Sequence, residues 1–121
     1  MIKVYIAGKL NDDACEYIKN LHKMNETANE VRKQGFAVYV PGIDFLLGLQ
    51  FGDWDYSDYF NNSQPWLECA DAVFLVPGWE TSEGTKKECL LAQEKNIPIF
   101  DKIEDLIEWK KIKDYVITRV N

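Results

Sequence analysis

The segment Val76-Pro77-Gly78-Trp79-Glu80-Thr81-Ser82-Glu83-Gly84-Thr85-Lys86-Lys87-Glu88 holds the residue types and spacing that could do chemistry. Its glycines let a backbone come close to a ligand, and the unbonded N–H groups at a helix start favour an anion. A glutamate one turn inside such a helix is aimed at whatever the loop holds. Glu88 therefore has two readings. In one, Thr85 and Glu88 form a capping box, the carboxylate bonding back to the amide of the N-cap residue. In the other, Glu88 is a carboxylate nucleophile at a sugar anomeric carbon. Glycosidic cleavage passes through an oxocarbenium-like state, which a carboxylate stabilises or traps covalently.

The neighbours carry the same kind of choice. Ser82 either caps the helix or binds a phosphate together with the amides of Gly84 and Thr85. Lys9, Lys86 and Lys87 could offset phosphate charge, each against the commoner reading of a solvated surface lysine. Trp79 stands in a polar, glycine-bearing loop with little core to fill, which leaves base stacking and a lid or dimer contact both open. Tyr5 sits late in a first strand whose alternation could point it to either face, and a core tyrosine is the commoner outcome.

The elements that must position these residues follow from the apolar pattern. Residues 2–7 read as a first strand ending at Gly8. Asn11, Asp12 and Asp13 offer N-caps for a long helix with Ala14, Tyr17, Ile18, Leu21, Ala28 and Val31 on one face, stopped by Gly35. A second strand spans 36–40. The stretch 43–59 is aromatic-rich and reads as a loop with short helical pieces. A helix is expected over 58–69, disturbed by Pro65 unless that proline sits near its start. The run 72–76 is apolar throughout, as in a strand covered on both faces. A helix from about Thr85, a strand over 97–100, a helix over 103–111 and an edge strand over 115–120 complete the order.

Alternating strands and helices predict a parallel sheet with right-handed crossovers. In the flavodoxin-like order, the loops after strands one and three lie side by side beyond the carboxyl ends of the strands, where ligands bind. Gly8-Lys9-Leu10-Asn11 and the 77–85 loop would then face one crevice. Asp71 opens the third strand at the opposite end and reads as structural.

Composition bounds the rest. A chain of 121 residues predicts one domain over 1–121 with a single core. Apolar content of 46% and charged content of 28% are ordinary for a soluble globular protein. The apolar start is too brief for a signal segment, and no run approaches membrane-spanning length, so a soluble cytoplasmic protein is expected. The formal net charge of −6 argues against a nucleic-acid polymer but leaves room for a small nucleotide held by amides and one or two lysines. Cys15, Cys69 and Cys89 lack metal or redox spacing and read as reduced, buried, small apolar residues. With His22 the only histidine, neither a zinc site nor a histidine-based catalytic pair is expected. No cofactor is expected either, so any chemistry runs on carboxylates, hydroxyls and lysines.

Three segments, Val4-Tyr5-Ile6-Ala7-Gly8, Cys69-Ala70-Asp71-Ala72-Val73 and the run from Pro77 to Glu88, resemble the nucleoside 2-deoxyribosyltransferase-like superfamily. The Gly-Trp-Glu-x-Ser variant is similar to a small branch found in bacteria and phages. The resemblance covers most of the chain in order and spacing, is specific around the third loop and is vague between Ile43 and Asn62. It implies a flavodoxin-like three-layer sandwich with four or five parallel strands, an active-site glutamate, and a homodimer whose neighbour completes the pocket. Carried over, Glu88 matches the catalytic glutamate and Tyr5 the strand-one tyrosine that orients it. The position six residues before the glutamate is aspartate in the transferases, contacting sugar hydroxyls, and serine in the monophosphate hydrolases, contacting phosphate. Ser82 stands there, which leans toward a nucleoside 5′-monophosphate, since an aspartate would repel a phosphate dianion. The phosphoribohydrolase pattern Pro-Gly-Gly-x-Gly-Thr-x-x-Glu is also echoed.

One departure stands out. The superfamily has an aspartate eight residues before the strand-three aspartate, assisting the leaving base; here that position is Ser63, with Asp58 a substitute only if the helix is shifted. The expected function is N-glycosidic cleavage of a (deoxy)nucleoside 5′-monophosphate, with Glu88 at C1′, Tyr5 positioning it, Ser82, Gly84 and Thr85 on the phosphate, and Trp79 with the aromatic 45–60 region over the base. The alternatives are base exchange between free nucleosides and a catalytically weak nucleotide-binding protein of the same fold.

Overall fold

Alternation along the strands divides the interior into two cores. In the computed structural model, which describes residues 1–11 and 13–120 (117–120 without their side chains), β1 (Lys3–Ala7) sends Val4 and Ile6 to one face. Tyr5 and Ala7 go to the other. β3 (Ala72–Leu75) repeats the pattern, with Ala72 and Phe74 on the first face and Val73 and Leu75 on the second. The first face is covered by Met24, Ala28 and Val31 of α1 (Ala14–Lys33) and by Leu106 of α5 (Ile103–Val120). The second is covered by Leu67 of α3 (Tyr56–Glu68) and by Leu91 and Ala92 of α4 (Glu83–Glu94). Helices on both faces of the sheet make three layers, which explains why β3 is apolar at every position.

With β2 (Ala37–Tyr39) and β4 (Ile99–Phe100) the sheet is parallel throughout, in the order β2-β1-β3-β4. That is the flavodoxin-type order for four strands. The 115–120 segment is not an edge strand. It continues α5, supported by an ion pair of 2.7 Å between Lys110 and Asp114, one turn apart. At the amino end of β3, the Asp71 carboxylate accepts from the Lys3 amide at 2.8 Å and lies 3.8 Å from the Lys3 ammonium. Asp71 is structural, as its position implied.

Several local expectations need correcting. In α1 the buried side is Tyr17, Met24, Ala28 and Val31, while Ile18 is 65% exposed. Asp13 caps this helix by accepting from the Glu16 amide, and Asp12 lies outside the described residues. The 43–59 stretch is not mainly loop. Gly42–Phe51 forms a helix, α2, whose Gly48 has no room for a Cβ against the Tyr59 ring. α3 starts earlier than the sequence suggests, at a capping box of Asp55 and Asp58, and carries Pro65 in its interior. Asn61 and Pro65 are both exposed, so the proline falls where the loss of one backbone hydrogen bond is least costly. Cys15 and Cys69 are exposed and Cys89 is half-buried, all as free thiols; none is the fully buried residue expected. Among the described residues no helix is long and apolar enough to cross a membrane.

Candidate functional site

The loops after β1 and β3 meet beyond the carboxyl ends of the strands, and α2 and α3 close the opposite side. Together they enclose a cavity of about 600 Å³, within the range of small-ligand pockets. The β1 loop contributes Gly8, Lys9, Leu10 and Asn11; the β3 side contributes Thr81 to Thr85 and Glu88. Gly8 allows the two loops to approach: a Cβ there would lie 2.7 Å from the Val76 Cβ.

Glu88 lies in α4 at the floor of this cavity and takes no part in a capping box. The N-cap is Ser82, whose hydroxyl accepts from the Thr85 amide at 3.2 Å. Thr85 is therefore the third residue of the helix, and Glu88 stands almost a full turn further in. Its neighbour is Tyr5, whose residue is fully buried on β1. The Tyr5 hydroxyl lies beside the Glu88 carboxyl and the Ser63 hydroxyl, near enough to perturb and be perturbed, yet it completes no hydrogen bond among the described residues. Burial pushes the Glu88 carboxyl up to about 7, partly opposed by the Tyr5 hydroxyl. Burial, and then the charge of Glu88, hold the Tyr5 hydroxyl well above its ordinary range. It stays protonated and can only be a donor to a charged partner. A buried, unpartnered donor beside a buried carboxylate is costly unless something else uses it.

The start of α4 forms a second part of the site. Ser82 Oγ accepts from the Thr85 amide and from Thr85 Oγ1 at 3.0 Å, which fills both acceptor positions and leaves its own O–H to donate. The Thr85 amide, expected to face a ligand, is thus consumed by the cap. Among the described residues, the first-turn amides with no partner are those of Glu83 and Gly84, both on residues that line the cavity. Replacing Ser82 with alanine is expected to cost about 1 kcal/mol through the lost cap, read as a lower thermal midpoint. An unchanged midpoint would mean that the cap carries no weight.

The remaining wall is aromatic. Tyr17 stacks on Phe45 at 4.7 Å, Phe45 on Tyr59 at 5.0 Å, and Trp54 tilts against Tyr59 at 5.2 Å. Phe45, Trp54, Tyr56, Tyr59 and Phe60 line the cavity, so the aromatic 45–60 region supplies a flat apolar surface. Two acidic residues lie among them. Asp55 is occupied as the α3 cap, taking Ser57 Oγ at 2.7 Å and the Asp58 amide at 3.0 Å. Asp44, on α2, accepts from the Tyr39 hydroxyl at 3.0 Å.

The cavity brings together Tyr5, Gly8, Lys9, Ser63, Ser82, Gly84, Thr85 and Glu88. It does not include Trp79, which packs half-buried against the core on the α3 and α4 face; the core it was thought to lack is there. Lys86 pairs with Glu83 at 3.4 Å and Lys87 sits 4.6 Å over the Tyr56 ring, and neither lines the cavity. Asp58 closes the α3 capping box outside it. Asp44 and Asp55 were missed as site residues. The signal available was an isolated aspartate beside aromatics in a segment without periodicity, which reads as loop. Among the described residues, one lysine and four carboxylates (Asp44, Asp55, Glu83, Glu88) line the cavity.

In class, then, this is an open parallel α/β protein with a carboxylate–tyrosine pair at the floor of a crevice beyond its strand ends. The chain belongs to the family described as Domain of unknown function (DUF4406), whose profile matches residues 2–101. That span takes in every strand and every residue lining the cavity. No curated protein matches the sequence at a significant level.

Proposed function

We propose that the protein cleaves the N-glycosidic bond of a (deoxy)nucleoside 5′-monophosphate, on the pattern of the nucleoside 2-deoxyribosyltransferase-like superfamily. The observation that carries the reading is Glu88: a half-buried carboxyl, free of any cap, beside the buried Tyr5 hydroxyl in a cavity of nucleotide size. Glu88 attacks C1′ or stabilises its developing positive charge, and the bond to the base breaks. Water, or a second base, then takes the sugar. As Glu88 ionises, the Tyr5 hydroxyl beside it donates to the carboxylate and fixes its direction. The Ser82 O–H, the amides of Glu83 and Gly84, and Lys9 meet the phosphate, while Phe45 and Tyr59 offer the base a stacking face.

The test is incubation with a panel of nucleosides and 5′-monophosphates, followed by chromatography for free base. Release from monophosphates by wild type and not by Glu88→Gln supports the reading; no release across the panel removes it. A second reading, base exchange between free nucleosides, is favoured by the lining charge, since four carboxylates against one lysine among the described residues suit a neutral ligand better than a dianion. It predicts equal or faster release from nucleosides and exchange when a second base is added. Ser63, which carries a hydroxyl where an acid would assist the leaving base, favours a weakly catalytic binder instead.

The same resemblance implies a homodimer. The exposed apolar side chains of Ile43, Leu46, Leu47 and Phe51 on α2, beside the cavity, support a second copy at that face. Light scattering at micromolar concentration is expected to return twice the chain mass, and a monomer mass would count against it.

A further inference from the structure

Tyr5 and Tyr39 are register partners on neighbouring parallel strands. Their rings stack with centroids 5.6 Å apart and planes at 24°. The two hydroxyls therefore emerge side by side from the same face of the sheet. One lies beside Glu88; the other donates to Asp44 Oδ2 at 3.0 Å. Asp44 thus lines the same cavity as the Tyr5–Glu88 pair, on the α2 side and next to Phe45 in the aromatic wall. A nucleoside with its anomeric carbon at Glu88 and its base on that aromatic wall would turn the edge of the base across from the glycosidic bond toward Asp44.

The chemistry of that edge is one-sided. A carboxylate only accepts hydrogen bonds. Tyr39 takes one oxygen of Asp44, and Oδ1 has no hydrogen-bond partner among the described residues. The lysine lining the cavity, Lys9, belongs to the β1 loop at the helix-start end. A base that fills this place must bring an N–H donor. A carbonyl in the same position would set lone pairs against the carboxylate and leave both unpaired.

We propose that Asp44, held by Tyr39, selects a base carrying an amino group across the ring from the glycosidic bond, of the cytosine or adenine type, over its oxo counterpart. The proposal rests on the reading of the cavity as a nucleoside or nucleotide site.

The experiment is calorimetric binding of isosteric pairs to the Glu88→Gln protein, which keeps the ligand intact. The pairs are dCMP with dUMP and dAMP with dIMP, repeated as free nucleosides. The amino member is expected to bind about tenfold to a hundredfold more tightly. Asp44→Asn, whose amide can turn its NH₂ toward a carbonyl, should bring that ratio to near one or invert it. Tyr39→Phe, which leaves the charge and removes its anchor, should reduce the ratio in part; it also covers the case in which Asp44→Asn does not fold. Equal or tighter binding of the oxo member, no binding of either, or a ratio unchanged in the foldable variants overturns the proposal. Base release by the wild type separates the two ideas. An amino preference in binding without any release leaves the selectivity standing and removes the glycosidase. Release without preference removes Asp44 alone.

Discussion

Glu88→Gln is expected to lower base release on the order of a thousandfold or more while making the protein more stable above neutral pH. The two effects have one cause. Burial raises the folded-state pKa of this carboxyl from 4.5 to about 7. A raised value means that folding favours the protonated form. The carboxyl costs nothing below its unfolded pKa, and stability is lost as pH rises from about 4.5 through about 7. Above that window the cost is about 3 kcal/mol. Glutamine removes it, so the thermal midpoint should rise by roughly 10 °C at pH 8 and hardly at all at pH 4. The same pKa sets the activity profile. A nucleophile must be ionised, so kcat/KM of the wild type should increase about tenfold from pH 6 to pH 8. Melting curves that shift equally at both pH values would show that the carboxyl is not held at a burial cost. Undiminished release by the variant would remove it from the chemistry.

The parts of the fold that could be read in advance are those where side-chain period and local signals agree. The apolar run at 72–76, the cap candidates at 11–13, of which Asp13 is the one used, and the Gly35 stop each gave an element with nearly its observed limits. Gly35 has φ of 93°, which explains why glycine ends α1 there. The errors fall where period is silent. α2 is apolar except at Asp44 and Gln50, so no face stands out, and its glycines read as turn residues although Gly48 serves packing against Tyr59. For the same reason Asp44 and the stacked aromatics could not be placed, since their roles depend on α2 lying over the strand ends. α4 starts two residues before the expected Thr85, on the Ser82 cap that was one of the two readings of that serine, and of the two readings of Glu88 this start removes the capping box. Trp79 was legible only as a bulky residue in a loop; that it turns back onto the core is a long-range fact.

Tyr5→Phe gives the sharpest separation between a core residue and a site residue. Its hydroxyl is buried and completes no hydrogen bond among the described residues, so its removal should stabilise the protein by about 1–3 kcal/mol where Glu88 is neutral, near pH 5. Above pH 7 the gain should shrink, because the hydroxyl then lowers the pKa of the ionised carboxyl beside it. The same loss pushes the Glu88 pKa higher still and moves the rising limb of the activity profile to higher pH. Once Glu88 ionises, the hydroxyl beside it can donate to it; a hydrogen bond to a charged group is worth roughly 1.5–3 kcal/mol, so release at pH 7 should fall about tenfold to a hundredfold. A core tyrosine behaves in the opposite way: truncation costs stability and spares activity. Greater stability with lower activity is the pattern of a side chain kept for a ligand at the expense of the fold. Loss of stability with unchanged release and an unmoved pH profile would return Tyr5 to the core and leave Glu88 without its positioning partner.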